Sequence, residues 1–473
     1  MIATIARKEF LEMVRDGRAR AASAAVLAML IAALLMGWKE FRDVQTEIEA
    51  AKQTVRQQWL AQSPKNPHQA AHYGTYAFKP RNPLSLADSG INRFTGVALF
   101  LEPHRQNDLR FRPAQDATVL ERFGQMTASA TLEILLPLVI IMITFGSFAG
   151  EKESGTLRQV LSAGVQPRSL ACGKFLGVGA ALALLLAPAT VMGVIVISPI
   201  TLASGSWDSI ARAAILSAGF LLYLGGWTLL CLCVSAWASS SRLALVILLG
   251  FWIGNCLVAP RAMADIAGRF HPSGSALESH LKVTREAREG PDGHNPNDPY
   301  WRSRKQELFK QYKVSNVADL PFNFDGLVAV EAEKYSTEVY RRHFREIWSV
   351  FERQDRVYRV GGMAAPMLAI QSLSMGLAST DFQQQRHFAE AAESYRARMA
   401  LDMNGYIMNH VRYGDRQALA GRDLWETLPD FDYTMPDVRW VIANQRVSVT
   451  ALAAWFGACF ILAVWRAERV RPV

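Results

Sequence analysis

Cysteine is scarce in this sequence and never spaced for a metal ribbon: five among 473 residues, no two as CxxC. That excludes a zinc framework and a disulfide scaffold. Charge is thin as well, at 20% of residues against 50% hydrophobic, and the mean hydropathy is +0.07. A soluble chain of ordinary composition averages below zero, so part of this one belongs in a membrane. No internal repeat is present. A small secreted domain, a disordered chain and a collagen-like fibre are all excluded.

What is abundant is uninterrupted apolar sequence. Six stretches, 21–38, 128–149, 176–200, 213–237, 243–260 and 447–465, each suffice to cross about 30 Å of hydrocarbon at about 1.5 Å per residue. Lipid offers backbone groups no hydrogen-bond partner, so all six are expected to be helices. The first has basic residues before it but no small-x-small cleavage site after it; Met36, Gly37, Trp38 and Lys39 stand there. It reads as an uncleaved anchor.

Charge sets the expected orientation. With the N-terminus inside, the interior segments 1–20, 150–175, 238–242 and 466–473 hold 13 basic and 6 acidic residues, a surplus of 7 out of the net +9. Segment 261–446 holds 25 of each sign. The basic balance is therefore a positive-inside signature and not a nucleic-acid footprint. Both termini are expected in the cytoplasm, with 39–127 and 261–446 exterior. All nine histidines and none of the cysteines fall in those two segments.

The expected fold class is an all-α polytopic membrane protein, with six transmembrane helices, an N-terminal interfacial helix and a large, mainly helical exterior (periplasmic) domain. Residues 40–60 continue the first span outward as helix, and 63–113 read as loops and short strands. A turn-rich connection at 290–299 precedes helical runs near 328–358 and 382–412. In the first run Val330, Tyr335, Val339, Phe344, Ile347 and Phe351 define an apolar face. The uncharged segment 361–380 contains Pro366 and Gln371. As a span it would export the basic tail, so it is expected on the outer membrane surface or packed inside the exterior domain.

The most informative stretch is GEKESGTLRQVLSAGVQPRSLACGK, residues 150–174. It reads as a short interior helix with acids at its start, favoured by the helix dipole, broken at Gly164 and Pro167. Here the sequence resembles the membrane subunits of ABC-2-type (type V) ABC transporters, in which an E-x-E-x-G-T-L…P-x-x-R…G-K segment forms the coupling helix. Glu151, Glu153, Gly155, Thr156, Leu157, Pro167, Arg168, Gly173 and Lys174 match in that order. The amphipathic start, with Ile2, Ile5, Phe10 and Met13 on one face, and the short loop 239–242 extend the likeness. It looks most similar to the subgroup with a large insertion between the fifth and sixth spans, through Pro366, Thr380, Asp381, Phe388, Glu393, Tyr395 and Arg396.

The resemblance implies a dimer, with a second copy or a sister subunit, docked on a cytoplasmic ABC ATPase dimer in the bacterial inner membrane. On that view Glu151, Glu153 and Arg158 face the ATPase groove, Gly155 permits close approach, and Thr156, Pro167 and Arg168 complete the coupling set. Helix capping is the simpler role for the two acids. No cofactor is expected in this chain. The nearest thing to a phosphate loop, Gly173-Lys174, has Arg168 where the earlier glycine belongs and Phe175 in place of Ser or Thr. ATP and magnesium would belong to a separate polypeptide, and the chain is not expected to be an enzyme. The expected function is the permease of an ATP-driven exporter. The alternative is a mechanical transmitter acting on a periplasmic or outer-membrane partner without passing substrate. Besides lipids and these proteins, no nucleic acid is expected.

Three further features call for a reading. Glu133 lies in the second span and an acid there is expensive, which marks a translocation path with Arg212 as its candidate mate, or an interface-level carboxylate. His68 and His72 are spaced for a metal on one helical face, but Gln69 replaces the glutamate of a metalloprotease, and a solvated pair is the preferred reading. His387, near Asp381, is equally unspecific. Gly146/Gly150 and Gly250/Gly254 are small-xxx-small pairs suited to close helix approach.

Overall fold

The computed structural model describes residues 1–112, 126–204, 207–291, 293, 295, 298–415 and 418–469. Pro113, parts of the 290–299 connection and the end of the tail, Arg471 included, lie outside the described residues. The fold is all-α. Among the described residues the sheet is a single antiparallel ribbon, β1 (Thr75–Phe78) against β2 (Ala98–Leu101).

Among the described residues, six helices are long and apolar enough to cross a bilayer. The chain starts with α1 (Ile2–Arg15), and Asp16 ends it and caps the next helix through the Arg18 and Ala19 amides. That helix, α2 (Gly17–Leu60), has 44 residues, about 66 Å, roughly twice the hydrocarbon thickness. Its first half is apolar and its charged second half runs on into the polar domain, where Trp59 donates to the Trp425 carbonyl at 3.0 Å. The short α3 (Pro67–Tyr73) and the ribbon follow. The second apolar helix, α4, is built from Ala128–Ala130, a π-helical turn at Thr131–Leu135, and Leu136–Thr144. Two short helices, α5 (Ala149–Glu153) and α6 (Thr156–Ser162), lead to the long apolar α7 (Pro167–Ser204), α8 (Trp207–Trp237) and α9 (Ser241–Phe270).

The polar domain adds α10 (Ala276–Glu289), α11 (Pro299–Tyr312), α12 (Phe324–Gly361), α13 (Pro366–Leu377), α14 (Phe382–His410) and α15 (Arg422–Thr427) before the last apolar helix, α16 (Val438–Ala467). Helices α12 and α14 fall where the periodicity places them, but the buried stripe of α12 differs from the apolar face read from sequence. Tyr335 and Phe351 are exposed, while Glu333, Thr337 and His343 are buried. The reason is an ion cluster: Arg396 on α14 reaches Glu333 at 2.6 Å and Glu393 at 2.8 Å, all three buried. Counting apolar residues cannot find a stripe built on paired charge.

Segment 361–380 lies neither on a membrane surface nor inside the polar domain alone. It forms α13, only 12 residues or about 18 Å long, too short to span. It wedges among the apolar helices instead. Met367, Leu368, Ile370, Leu373 and Leu377 join Leu136, Ile140, Phe220, Tyr223 and Leu452 in the largest core. Gly219 makes this possible, since a Cβ there would meet the Leu373 side chain at 2.9 Å. Ser374 then donates to Asp88 at 2.5 Å and contacts the Ser129 hydroxyl at 2.8 Å, so α13 ties α4 to the first polar segment.

Lys79 is buried beside this joint and donates to Asn92 and Gln385, each at 2.8 Å. Burial pushes its ammonium down to about 7, the Asp381 carboxylate opposing and Arg81 reinforcing the shift. The unfolded chain keeps this proton up to about pH 10 and the folded chain does not. Between about pH 7 and 10 the unfolded state therefore binds more protons, and stability rises with pH. The thermal midpoint of the detergent-solubilised protein should rise from pH 7 to pH 9, reflecting a stability gain of up to about 2–3 kcal/mol over two pH units. In Lys79→Met that rise should shrink; an undiminished rise would assign it to other groups.

Candidate functional site

The segment joining α4 to α7 is an elbow and not one helix. Gly155 adopts φ +73, the left-handed region that glycine enters without cost, and turns α5 into α6 there; Gly164, at φ +83, ends α6. Burial of Leu157 with Phe148, Leu170, Leu232 and Ala236 anchors α6.

Every neighbouring helix holds this elbow. The Ser235 hydroxyl, near the end of α8, accepts from the Phe148 and Ala149 amides at 3.0 and 3.1 Å and donates to the Phe145 carbonyl at 2.8 Å. Lys152 donates to the Ala236 and Ala238 carbonyls, satisfying acceptors that the end of α8 leaves open. Glu153 accepts from the Ser241 amide at 3.0 Å and its hydroxyl at 2.6 Å, capping α9 from outside. Glu151 turns inward to Lys174 at 2.9 Å and to Lys8 at 3.1 Å. Lys174, at 1% side-chain exposure, also meets buried Glu9 of α1 at 2.7 Å. Around it α1 crosses α7 in near contact: a Cβ on Gly173 would meet Ile5 at 2.6 Å, and one on Gly177 the Ala6 carbonyl at 2.8 Å.

The seven residues of the coupling motif thus divide. Glu151 turns inward, claimed by a buried ammonium, whereas Glu153 stays exposed while it bonds the first residue of α9. Neither caps its own helix; Glu153 caps another. Arg168 pairs with Glu468 of the tail. Pro167 opens α7. Gly155, Thr156 and Arg158 are exposed, and Gln159 beside them is too.

The second candidate region needs correction. Arg212 does not meet Glu133. Its guanidinium pairs with Asp208 at 2.5 Å and donates to the Leu377 and Pro436 carbonyls and to Ser379, which locks α8 to α13 and to the start of α16. Helix geometry explains this, since Asp208 lies one turn before it. Glu133 sits buried in the π turn of α4, and its Oε1 has no hydrogen-bond partner among the described residues. A π turn frees carbonyls from the regular ladder. Tyr223 donates to that of Glu133 at 2.7 Å and Trp252 to that of Ile134 at 2.9 Å. A second π turn, Ile253–Val258 in α9, faces the same spot, its Asn255 accepting from the Met367 amide at 3.4 Å.

Of the glycine pairs read from sequence, a Cβ added at Gly250 or Gly254 would meet no other side chain or helix within 4 Å among the described residues, and one at Gly146 or Gly150 would meet the Ser241 hydroxyl only. The close helix crossing uses Gly173 and Gly177. The pair His68 and His72 is joined by His104, and His68 is held at 2.8 Å by Asn404 and not simply solvated. His387 is bound to the Tyr433 hydroxyl at 2.8 Å.

Residues 3–280 match the family described as ABC-2 family transporter protein, and residues 277–434 match a domain of unknown function, DUF3526. The first match covers more than half of the chain, and the protein belongs to the ABC-2 transporter family. It is a multi-pass membrane protein and an ABC permease subunit, a class that is generally non-catalytic and whose membership implies an ABC ATPase partner. The division between the matches falls just beyond α9, where the polar domain resumes. No curated protein matches the chain.

The buried Lys174 cluster makes a stability prediction. Lys174→Ala leaves Glu9 buried with only half-exposed Lys8 for company, which should cost about 3–5 kcal/mol. Glu151→Gln keeps a hydrogen-bond acceptor and should cost about 1 kcal/mol. Unfolding of the detergent-solubilised variants measures both, and equal, negligible costs would show that the cluster does not hold α1 to α7.

Proposed function

We propose that this subunit couples ATP hydrolysis by a separate ABC ATPase, bound at the elbow, to export across the bacterial inner membrane. In that arrangement both termini and the elbow are cytoplasmic, the polar domain is periplasmic, and two permease subunits form the transport unit. The observation that carries the reading is the elbow itself. An exposed rim of Gly155, Thr156, Arg158 and Gln159 is backed by direct bonds to α1, α7, α8 and α9. A push on the rim reaches four helices without passing through a flexible link. Arg158 and exposed Glu153 are the charged contacts toward the ATPase. Glu151 supports the rim from within.

The two facing π turns around Tyr223 offer the second half of such a mechanism, since single π turns inside helices occur frequently at functional sites. Glu133, buried there with an unsatisfied oxygen, is the residue we assign to the path. Arg212 acts as a lock on α13.

Arg158→Glu should leave insertion and thermal stability unchanged, while co-purification of the ATPase or its coupled hydrolysis falls at least about tenfold, the loss of roughly 1.4 kcal/mol of interface energy. Full coupling in that variant would overturn the assignment. Orientation is tested separately with Asn295→Cys, an exposed position, against native exposed Cys172. An impermeant maleimide should label position 295 in intact spheroplasts and Cys172 only after permeabilisation; the reverse order would invert the topology.

A further inference from the structure

The polar domain brings together three imidazoles from two places in the chain. His68 and His72 stand one turn apart on α3, whose N-terminus is set by Asn66 accepting from the His68 amide at 2.9 Å and by Pro67 in the first turn. Ala70 and Ala71, fully buried, fix the face on which α3 lies. His104 comes from the turn after β2 and adopts φ +68, an unusual conformation for a non-glycine residue, held because its backbone amide donates to Glu333 at 2.9 Å.

One nitrogen from each ring lies within 4.8 Å of the other two. The Nε2 atoms of His68 and His72 are 3.1 Å apart. Two imidazole nitrogens bound tetrahedrally to one Zn²⁺ would stand about 3.3 Å apart, given Zn–N bonds of about 2.0–2.1 Å. The pair is therefore already near ligand spacing, and His104 needs only a small ring movement to complete a three-nitrogen face.

The outer contacts also suit this role. His68 Nδ1 lies 2.8 Å from the Asn404 side-chain oxygen, and the Asn404 amide group points away to the Ala329 carbonyl. His68 therefore carries its proton on Nδ1 and turns the Nε2 lone pair to the cluster. His104 Nδ1 lies 2.9 Å from buried Glu333, whose other oxygen is held by Arg396 at 2.6 Å. Acceptors of this kind fix the tautomer and orientation of metal-bound histidines. His72 is exposed while His68 and His104 are half-buried, which leaves an approach for an ion and room for water as a further ligand.

We propose that His68, His72 and His104 form a binding site for a divalent first-row transition-metal ion, Zn²⁺ fitting best. An all-imidazole set disfavours calcium and magnesium, which take oxygen ligands. Gln69 stands where a metalloprotease helix supplies its base, so the site binds the ion without a hydrolytic partner on α3. The ion cross-links α3 to the turn after β2, and through Glu333 and Arg396 it is joined to α12 and α14.

The full-length protein in detergent, stripped with a chelator, is titrated with Co²⁺ and then with competing Zn²⁺. Visible absorption bands of tetrahedral Co²⁺ should grow to one equivalent per chain and vanish as Zn²⁺ displaces it. His72→Ala and His104→Ala should weaken binding by more than about 100-fold, exceeding the loss seen when only an outer partner is removed. His72→Gln, at the same exposed position, should behave like His72→Ala, and His387→Ala like the parent. Absence of the bands in the parent protein, or unchanged affinity in both His72→Ala and His104→Ala, would overturn the site.

Discussion

One buried ammonium sets the geometry of the elbow end of this protein. Lys174 at the start of α7 cannot remain charged in an apolar helix junction without compensation, and desolvation of a single ion costs several kcal/mol. Glu9 from α1 and Glu151 from the elbow both reach it. Satisfying the lysine therefore fixes three elements at one point. Gly173 and Gly177 let α1 approach closely enough for Glu9 to arrive, so the glycines and the ion cluster are parts of one solution. The interfacial helix expected from its amphipathic face is thereby also a structural strut, with Glu9 on its buried side.

The apolar helices were legible because lipid imposes length and composition together, and a run of about 20 apolar residues has few other uses. The two long polar-domain helices were legible through their period. The motif of the elbow could be found in the sequence, but the direction in which its acids point could not. An acid that docks on a partner and an acid that neutralises a lysine 23 residues later look identical until the chain folds. Arg212 shows the same limit: its nearest acid was one turn away at Asp208, and local spacing favoured that mate over a distant one.

Other features carried a signal of a kind different from the one sought. Asn66 followed by Pro67 is a helix start, with the Asn side chain as cap and Pro in the first turn. Read that way, the sequence places both histidines on one face of α3. His104 left no such trace, because its approach depends on the β ribbon and on Glu333, more than 200 residues away. Segment 361–380 was ambiguous for a composition-based reason. Too polar for lipid and too apolar for water, it suits contact with other protein helices, and α13 finds that contact among α4, α8 and α16.

The subgroup motif of the polar domain then takes on a physical meaning. Pro366 starts α13, Asp381 caps α14 through the Gln384 amide, and Phe388 is fully buried. Glu393 and Arg396 form the buried pair, and Tyr395 ties α14 to the Pro429 carbonyl at 2.7 Å. These residues place α14 at a fixed height and rotation relative to α13, which is itself packed against the apolar helices. Gln445 of α16 also donates to Asp381, so the cap of α14 is bonded directly to an apolar helix. The polar domain is thus joined to the apolar helices by continuous packing through α13 and by the Gln445–Asp381 bond.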